Sequence, residues 1–411
     1  MSRQVLWANR RVPALLLKIG NYPLHSGGLA AIRTLGRLGV PVYATTEDPF
    51  TPSALSRYCA GRFRWRTTGR EDPDELVAGL RDIGRRIGHR SVVVPADDEA
   101  AILIAEHPGE LSEYFLFPRI QSGLPRQLAS KHELYKLCRQ HNVPVPASAL
   151  VSTTAEVEAF ASTATFPVVA KNAEPWVRHR TAVVAGTTVL SEPSELLALT
   201  RTKGEVASVL LQDYVPEEHA EDWIVHLYCD QNSDCLVLFT GVKVRSWPPH
   251  AGATACGYSV ANPVLAGLTE RFCKEIGFQG IADFDWRFDR RDGQYKLVDF
   301  NPRMGNQFRL FQTSAGIDVV RALYLNLTGR SVPAGDEVKG RRIVVEHIDV
   351  LARLAYRGSC YSTPSAPLRP AWTELAWLAA DDPLPFLAML PRLTKPTAAY
   401  LASRRQRRLA A

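Results

Sequence analysis

The feature that most restricts the fold of this chain is GIADFDWRFDRRDGQYKLVDFNP, from residue 280 to residue 302. Two runs of alternating polar and apolar residues flank Arg-Asp-Gly at 291–293, a sequence typical of a tight turn. The segment is therefore predicted to fold back on itself as an antiparallel hairpin. Because alternate side chains of a strand lie on the same face, Asp283 and Asp285 share one face of the first arm.

The second arm of this hairpin places Asp299 and Asn301 on one face, and closing the turn brings Asp285 roughly opposite Asp299. Two carboxylates and an amide oxygen make a poor core, but they suit Mg²⁺, which also keeps waters and binds substrate phosphates. The solvated outer face of an ordinary hairpin alternates in the same way, so this pattern alone leaves both interpretations open.

Two lysines occupy positions that are unfavourable unless an anion lies beside them. Lys171 ends the apolar strand PVVAK, where an unpaired charge is costly. Lys131 opens a helix, at the end where the macrodipole favours anions. A polyphosphate lying between the two lysines explains both placements. Arg303, together with Lys243 or Arg245, would add positive charge, and phosphoryl transfer requires this combination of divalent metal and fixed cations.

The first third of the chain shows the strand–helix–strand pattern of a parallel sheet. PALLLKIG (13–20), GGLAAIRTLGRLG (27–39) and VPVYATTED (40–48) read as strand, helix and strand, and SVVVPADDEAAILIAEH (91–107) repeats the theme. Gly27 and Gly28 lie near a helix N-terminus, a place suited to an anion, although a plain tight turn also explains the pair.

Composition excludes several classes of protein. At 411 residues, with 46% hydrophobic and 22% charged residues, the chain is predicted to form two to four globular domains. No apolar run reaches the ~18–20 residues needed to span a bilayer, and MSRQVLWANRR lacks the apolar core of a secretory signal. WTELAWLAADDPLPFLAML (372–390) is interpreted as core packing rather than as a membrane-surface segment.

Charge and cysteine usage restrict partners and compartment. Seven scattered cysteines without a CxxC motif indicate a reducing compartment and argue against a disulfide framework or a zinc site. The net charge is +7, but four arginines lie in the last eight residues, so a solvated basic tail is favoured over a nucleic-acid site.

Four blocks in order make the chain resemble the ATP-grasp superfamily, and within it the carboxylate–amine ligases that carry a Rossmann-like domain before the grasp. They are SKHELYKLCRQHNVPVP (130–146), FPVVAK (166–171), LLQDYVPEEHAED (210–222) and DFDWRFDRRDGQYKLVDFNPR (283–303). The resemblance implies an α/β and α+β multidomain fold, a Rossmann-like parallel sheet followed by a two-lobed ATP-grasp fold. The implied boundaries are 1–125 for the Rossmann-like domain, 126–207 and 208–335 for the two lobes, and 336–411 for a C-terminal extension with the basic tail.

The resemblance also implies site residues. Lys131 and Lys171 would contact the ATP phosphates, and Asp222 the ribose. The adenine slot would be lined by Gln212, Asp213, Tyr214 and Val215. The Mg²⁺ ligands would be Asp285, Asp299 and Asn301. Mn²⁺ could replace Mg²⁺ on the same ligands. Arg303, with Lys243 or Arg245, would stabilise the transferred phosphoryl group or the substrate carboxylate.

Two loops lie outside the four blocks, one at 172–186 and one beginning at Pro248. NAEPWVRHRTAVVAG (172–186) departs from the glycine-rich flap of many family members, because Trp176, Arg178, His179 and Arg180 stand where small residues are usual. Pro248-Pro249-His250 begins a loop interpreted either as a substrate-facing segment or as a rigid turn.

The function implied by the resemblance is ATP-dependent ligation of a carboxylate and an amine through an acyl phosphate, with amino acids or small peptides as substrates. Three alternatives stay open: a ligase for a peptidoglycan precursor, an enzyme that transfers phosphate or activates bicarbonate, and a non-catalytic nucleotide-binding protein. The expected partners are small molecules, with no nucleic acid and no transmembrane segment. The expected location is the cytoplasm, and a homodimer is admitted.

Overall fold

The structure is a computed structural model that describes residues 9–176, 184, 186–201, 208–249, 252–356 and 370–393. The flap positions Arg178, His179 and Arg180, as well as His250 and the basic tail, lie outside the described residues. No helix within the described ranges is long and apolar enough to cross a membrane.

Residues 14–116 contain a parallel sheet with the strand order β3-β2-β1-β4-β5. The strands are β1 (Ala14–Leu17), β2 (Val42–Thr46), β3 (Cys59–Arg64), β4 (Ser91–Pro95) and β5 (Phe115–Leu116). The helices of this region are α1 (Ser26–Gly36), α2 (Pro73–Ile87), α3 (Asp98–Glu106), α4 (Pro108–Leu111) and α5 (Leu124–Ala129). The predicted strand–helix–strand pattern is confirmed, since β1, α1 and β2 follow one another and β1 pairs in parallel with both β2 and β4.

A small antiparallel sheet with the order β6-β9-β7-β8 follows. Its strands are β6 (Ser148–Val151), β7 (Val168–Asn172), β8 (Thr187–Leu190) and β9 (Val209–Asp213), and its helices are α6 (Lys131–Gln140), α7 (Thr154–Thr163) and α8 (Pro193–Arg201). Ser130 caps α6 by accepting a hydrogen bond from the Glu133 amide. Valine and leucine side chains of β7 and β9 form the core of this unit.

The large sheet has the order β14-β13-β10-β11-β12-β15-β16. Its strands are β10 (Ala220–Cys229), β11 (Cys235–Trp247), β12 (Ala253–Ser259), β13 (Gly280–Asp289), β14 (Gln294–Asn301), β15 (Arg341–Val344) and β16 (Trp372–Leu375). All pairings are antiparallel except that of β15 with β16. The predicted hairpin is β13–β14, and the large sheet continues past residue 335 through β15 and β16.

Four helices accompany the large sheet: α9 (Pro263–Glu275), α10 (Val319–Leu327), α11 (Glu346–Ala355) and α12 (Leu384–Met389). Helix α10 begins after Asp318, which caps its first turn by accepting from the amides of Val320 and Arg321. One core cluster joins β1 and α1 to α10 and to the inner face of the large sheet. This shared core fixes the parallel sheet against the hairpin.

Candidate functional site: a cleft between the small and large sheets

The β13–β14 hairpin sets oxygen-bearing side chains opposite one another. Asp285 pairs in register with Asp299, and Asp283 pairs with Asn301. In an antiparallel pair, directly opposed side chains on one face lie within contact distance. The predicted opposition of Asp285 and Asp299 is confirmed, and the register also places Asp283, on the same face of β13, opposite Asn301.

Lysines from three other elements reach this group. Lys131, at the start of α6, forms an ion pair with Asp299. Lys243 Nζ on β11 lies 2.9 Å from Asp285 Oδ1. Lys171 Nζ on β7 donates to the Val298 carbonyl and to Gln212 Oε1, at 3.1 Å each. The three cations therefore converge on the hairpin face that the sequence identifies.

Burial and neighbouring charges shift the pKa values of these groups. Burial lowers the pKa of Lys171 to about 8, against the opposing effect of Asp299. Burial alone would also lower the pKa of Lys243, but the Asp285 and Asp222 carboxylates outweigh it and raise that pKa. For Asp285 the burial effect exceeds that of Lys243 and raises the pKa, whereas the effects of Lys131 and Lys171 exceed burial at Asp299 and lower its pKa. The cleft thus holds closely balanced opposite charges in a poorly hydrated place.

Arg303 follows the hairpin and lies between two aspartates. Its Nη1 donates to Asp283 Oδ2 at 3.0 Å, and its Nε lies 3.5 Å from Asp98 Oδ1 at the start of α3. On the far side of Asp283, His226 Nε2 lies 3.2 Å from Oδ1. Burial lowers the pKa of His226 to about 3, so this imidazole is neutral. His226 contacts Asp283, and Asp283 contacts Arg303, so these two residues hold the Arg303 side chain in position.

The segment between β9 and β10, residues 214–219, is called the hinge. Arg287 ties it to the hairpin. The Arg287 guanidinium donates to the Val215 carbonyl at 2.8 Å and 3.2 Å and to Asp222 Oδ1 at 2.8 Å, and its Cζ lies 5.8 Å from the centre of the Tyr214 ring. Arg287 stands two residues beyond Asp285, on the same face of β13. The hinge backbone and the carboxylate-bearing face of the hairpin are therefore held by one strand.

A cavity of about 410 Å³ joins these parts. Lining residues come from the small sheet, the hinge and the large sheet. The predicted site residues among them are Lys171, Gln212, Asp213, Tyr214, Val215, Asp222, Lys243, Asp285, Asp299, Asn301 and Arg303. Pro248, from the predicted substrate loop, lines it as well.

Two of the predicted site residues, Lys131 and Arg245, are not among the described residues that line the cavity. Within the described ranges, Lys131 is linked to the cleft by its ion pair with Asp299. Arg245 Nε lies 2.5 Å from Asp349 Oδ1 on α11. The pairing of β11 with β12 changes register between Lys243 and Arg245, so the two side chains do not point the same way.

Sequence reasoning missed several lining residues. Arg287 could have been found, because it continues the alternation of Asp283 and Asp285. Thr254 has a buried hydroxyl with no hydrogen-bond partner among the described residues, and it lines the cavity. No local signal marks Thr254, because its position depends on how β12 pairs with β11.

The donor set is that of a hard cation site, although within the described residues no three His, Cys, Asp or Glu side chains form a ready-made metal cluster. The candidate ligands are two carboxylates and one amide. Asp285 Oδ1 is buried with Lys243 Nζ at 2.9 Å, so this oxygen already faces a positive charge, as a ligand of a hard cation would. The residues present therefore fit Mg²⁺ once a phosphate chain engages the lysines.

No family model matches the chain. A D-aspartate ligase from Enterococcus faecium (strain Aus0004) is 26% identical over 267 residues, which cover 61% of this chain and 62% of that protein. The match thus spans less than two thirds of the relative.

Solved structures show the same fold at low sequence identity. N5-carboxyaminoimidazole synthetase from Staphylococcus aureus gives a TM-score of 0.60 at 11% identity, over 90% of this chain and 93% of that one. L-amino acid ligase from Bacillus licheniformis gives 0.56 at 17% identity, over 78% and 75% of the two chains. The biotin carboxylase domain of Hydrogenobacter thermophilus 2-oxoglutarate carboxylase, solved with MgADP and bicarbonate, gives 0.58 at 14% identity, over 79% and 71%. This chain therefore shares the fold of these structures, the ATP-grasp fold.

Proposed function

We propose that this protein is an ATP-dependent carboxylate–amine ligase that joins amino acids or small peptides through an acyl phosphate and releases ADP and phosphate. One observation carries the proposal: Asp285 faces Asp299 across the hairpin, and Lys131, Lys171 and Lys243 converge on the same place. The similarity to a D-aspartate ligase supports ligation over the other reactions of this fold.

In the proposed complex the nucleotide lies along the cavity from the hinge to the hairpin. The adenine contacts the backbone of Gln212, Asp213, Tyr214 and Val215, and Asp222 reaches the ribose while still held by Arg287. The phosphates replace Asp299 as the partner of Lys131 and take up the charge of Lys171. Both lysines then have an anion in a place where burial otherwise disfavours their charge.

Asp285, Asp299 and Asn301 are proposed to hold Mg²⁺, and Mn²⁺ would satisfy the same oxygen ligands. When bound, the ion neutralises phosphate charge and aligns the γ-phosphate for transfer. The protein needs to supply only position and fixed charge.

The proposed chemistry has two steps. A carboxylate oxygen of the acid substrate bonds to the γ-phosphorus while the bond from that phosphorus to the ADP oxygen breaks. The amine nitrogen then bonds to the acyl carbon, the carbon–oxygen bond to phosphate breaks, and the amine loses one proton to solvent. Arg303 and Lys243 would stabilise the charge that develops on the transferred group. Arg245 could assist only after leaving Asp349.

An acidic amino acid is the proposed carboxylate substrate, because D-aspartate ligase is the curated relative. A peptide precursor of the cell wall is kept as an alternative amine substrate. The proposed organisation is a Rossmann-like domain at 1–125, lobes at 126–207 and 208–335, and an extension at 336–411. A cytoplasmic location, where ATP is available, and a homodimer complete the proposal.

The decisive experiment incubates the purified protein with ATP, Mg²⁺ and pairs of amino acids, D- and L-aspartate included, and measures ADP together with product mass. We expect ADP only when both an acid and an amine are present, with a product lighter by one water than the summed substrates. ADP formed with bicarbonate and no amine would instead indicate a carboxylating enzyme. Failure to bind ATP would contradict both.

Asp299→Ala tests the metal face within this assay. We expect ADP formation to fall by at least about a hundredfold, because the cation loses a ligand. Asp292→Ala, an exposed aspartate at the turn of the same hairpin, is the matched control and should retain activity. Equal activity in both variants would remove the metal assignment.

A further inference from the structure

Three cysteine side chains meet between the large sheet and α9. Cys229 ends β10, Cys235 begins β11, and Cys273 lies on α9. Cys229 and Cys235 are direct cross-strand partners, and their Sγ atoms are 2.9 Å apart. Cys229 also shares a hydrogen bond with Cys273. Directly opposed residues of an antiparallel pair have the Cα separation that a disulfide bond requires.

The turn between Cys229 and Cys235 holds this geometry. Asp230 Oδ1 accepts from the amides of Asn232 and Asp234, at 2.8 Å and 3.0 Å, and the Asp230 amide donates to the Asp234 carbonyl at 3.0 Å. Lys274 of α9 donates to the Asn232 carbonyl at 2.7 Å and to Asp234 Oδ1 at 2.6 Å. The two sulfur atoms can therefore join with little movement of either strand.

The three thiols differ in their access to solvent. Cys229 and Cys273 are fully buried, whereas Cys235 is half-buried, so a small oxidant reaches Cys235 first. The hydrogen bond with Cys229 and burial raise the pKa of Cys235, and the Glu270 and Asp234 carboxylates act in the same direction. Cys235 is therefore mainly a thiol at neutral pH, where its oxidation should be slow, because the thiolate is the nucleophile.

We propose that Cys229 and Cys235 form a site of reversible oxidation by hydrogen peroxide. The Cys235 sulfur bonds to one peroxide oxygen, the oxygen–oxygen bond breaks, and one water is released, which leaves a sulfenic acid on Cys235. The Cys229 sulfur then bonds to the Cys235 sulfur, the sulfur–oxygen bond breaks, and the departing hydroxide takes the Cys229 proton as a second water. Two thiols are thus oxidised to a disulfide, and one peroxide is reduced to two waters. Small thiols of a reducing compartment later cleave the disulfide and restore both cysteines.

The proposed disulfide lies on the face of the large sheet that is turned away from the cleft. Alternation along β10 puts Cys229 on the face opposite His226, which contacts Asp283. Cys229 packs instead with Val225 and Leu227 in a core cluster that includes side chains of α9. The disulfide therefore protects a core sulfur from irreversible oxidation, and it is separate from the proposed ligase chemistry.

The test treats the full-length protein with hydrogen peroxide at mildly alkaline pH, alkylates the remaining thiols and measures tryptic peptides by mass. Trypsin leaves Cys229 and Cys235 together in residues 204–243 and places Cys273 in residues 272–274. We expect peptide 204–243 to escape alkylation and to be lighter by two hydrogens, and dithiothreitol to reverse both changes. Cys59→Ser, which removes another half-buried thiol, is the matched control and should behave in the same way.

Cys229→Ser tests the role of the buried thiol. Without Cys229, the sulfenic acid on Cys235 cannot close to the proposed disulfide. We therefore expect at least about tenfold more sulfinic and sulfonic acid at Cys235 than in the wild-type protein after the same treatment. Thermal melting establishes that the Cys229→Ser and Cys59→Ser variants are folded.

Three results would overturn the proposal. Peptide 204–243 could keep both alkylatable thiols while Cys59 is oxidised. Irreversible oxidation of Cys235 could be equal in the wild-type protein and in Cys229→Ser. A peptide 204–243 joined to residues 272–274 would place the disulfide between Cys273 and a strand cysteine instead.

Discussion

Gly305 illustrates how closely single residues are packed behind the cleft. A methyl group at this position would lie 2.3 Å from His226 Cε1 and 2.7 Å from Asp283 Cγ. The space is therefore already filled by the pair that supports Arg303. Alternation along a strand predicted that Asp299 and Asn301 share one face and that Asp285 lies opposite Asp299, because that pattern is local. The His226 contact could not be predicted, because it depends on the packing of three separate elements.

The change Gly305→Ala should therefore disturb Arg303 through His226 and Asp283. We expect the free energy of unfolding to fall by about 1–3 kcal/mol and ADP formation to fall by at least about tenfold. Chemical denaturation and the ligase assay measure the two effects. Gly267→Ala, on α9 where nothing lies within 4 Å, is the control and should leave stability equal or slightly higher.

The buried carboxyl group of Glu337 predicts how the stability of the protein depends on pH. Burial raises the pKa of Glu337 to about 8, against a value of 4.5 in the unfolded chain. The folded protein therefore holds this proton over a range where the unfolded chain has lost it, so stability falls as pH rises from about 4.5 to about 8.

Glu337→Gln should remove that contribution. We expect a gain on the order of 1–2 kcal/mol above pH 8 and little change below pH 4.5, after allowing for solvent screening at this part-exposed site. Denaturant melts at the two ends of the range measure it, with Asp336→Asn as an exposed neighbouring control. A gain that is the same at both ends would contradict the assignment.

At the scale of elements, the hairpin was predictable and its irregularities were not. Alternation and the Asp-Gly turn are local signals, and β13 and β14 follow them. The register shifts after Asp285 on β13 and after Lys243 on β11 depend on cross-strand pairing. For the same reason β15 and β16, four residues each, left no readable pattern; they form by pairing with a sheet assembled from distant segments.

Arg287 on β13 contacts the hinge and Asp222 on β10. Its removal should therefore affect the binding of ATP more than the chemical step. Arg287→Ala frees the Val215 carbonyl and Asp222, so we expect the KM for ATP to rise about tenfold while kcat changes little. Steady-state kinetics at saturating amino acids measure the split. Arg291→Ala, which removes an arginine from the far end of the hairpin, should leave both constants unchanged. A loss of kcat alone would place Arg287 in the chemical step instead.

For the whole molecule, a buried polar network ties the first helix to the last described segment. Asp382 Oδ2 lies 2.9 Å from Arg33 Nε and accepts from Ser56 Oγ at 2.7 Å. Nearby, Asp318 at the start of α10 accepts from Thr34 at 2.6 Å and Arg309 at 2.7 Å. The parallel sheet, the large sheet and the C-terminal segment are therefore expected to unfold together.

Two adjacent aspartates allow a controlled test of this expectation. Asp382→Ala leaves Arg33 buried without its counter-ion, and we expect a loss of about 3–5 kcal/mol in the free energy of unfolding. Asp381→Ala breaks an exposed pair with Arg37 and should cost less than about 1 kcal/mol. Calorimetry measures both; similar losses would show that burial does not set the strength of this connection.

The same connection has a consequence for synthesis on the ribosome. Arg33 leaves the exit tunnel early, yet its partner Asp382 is translated 349 residues later. Until then the Arg33 guanidinium lacks the carboxylate that neutralises it in the folded protein. The side of α1 that Trp377 and Met389 later cover also stays exposed to solvent. The region around α1 is therefore completed only after Asp382 has been translated, and we expect chaperones to hold it during elongation.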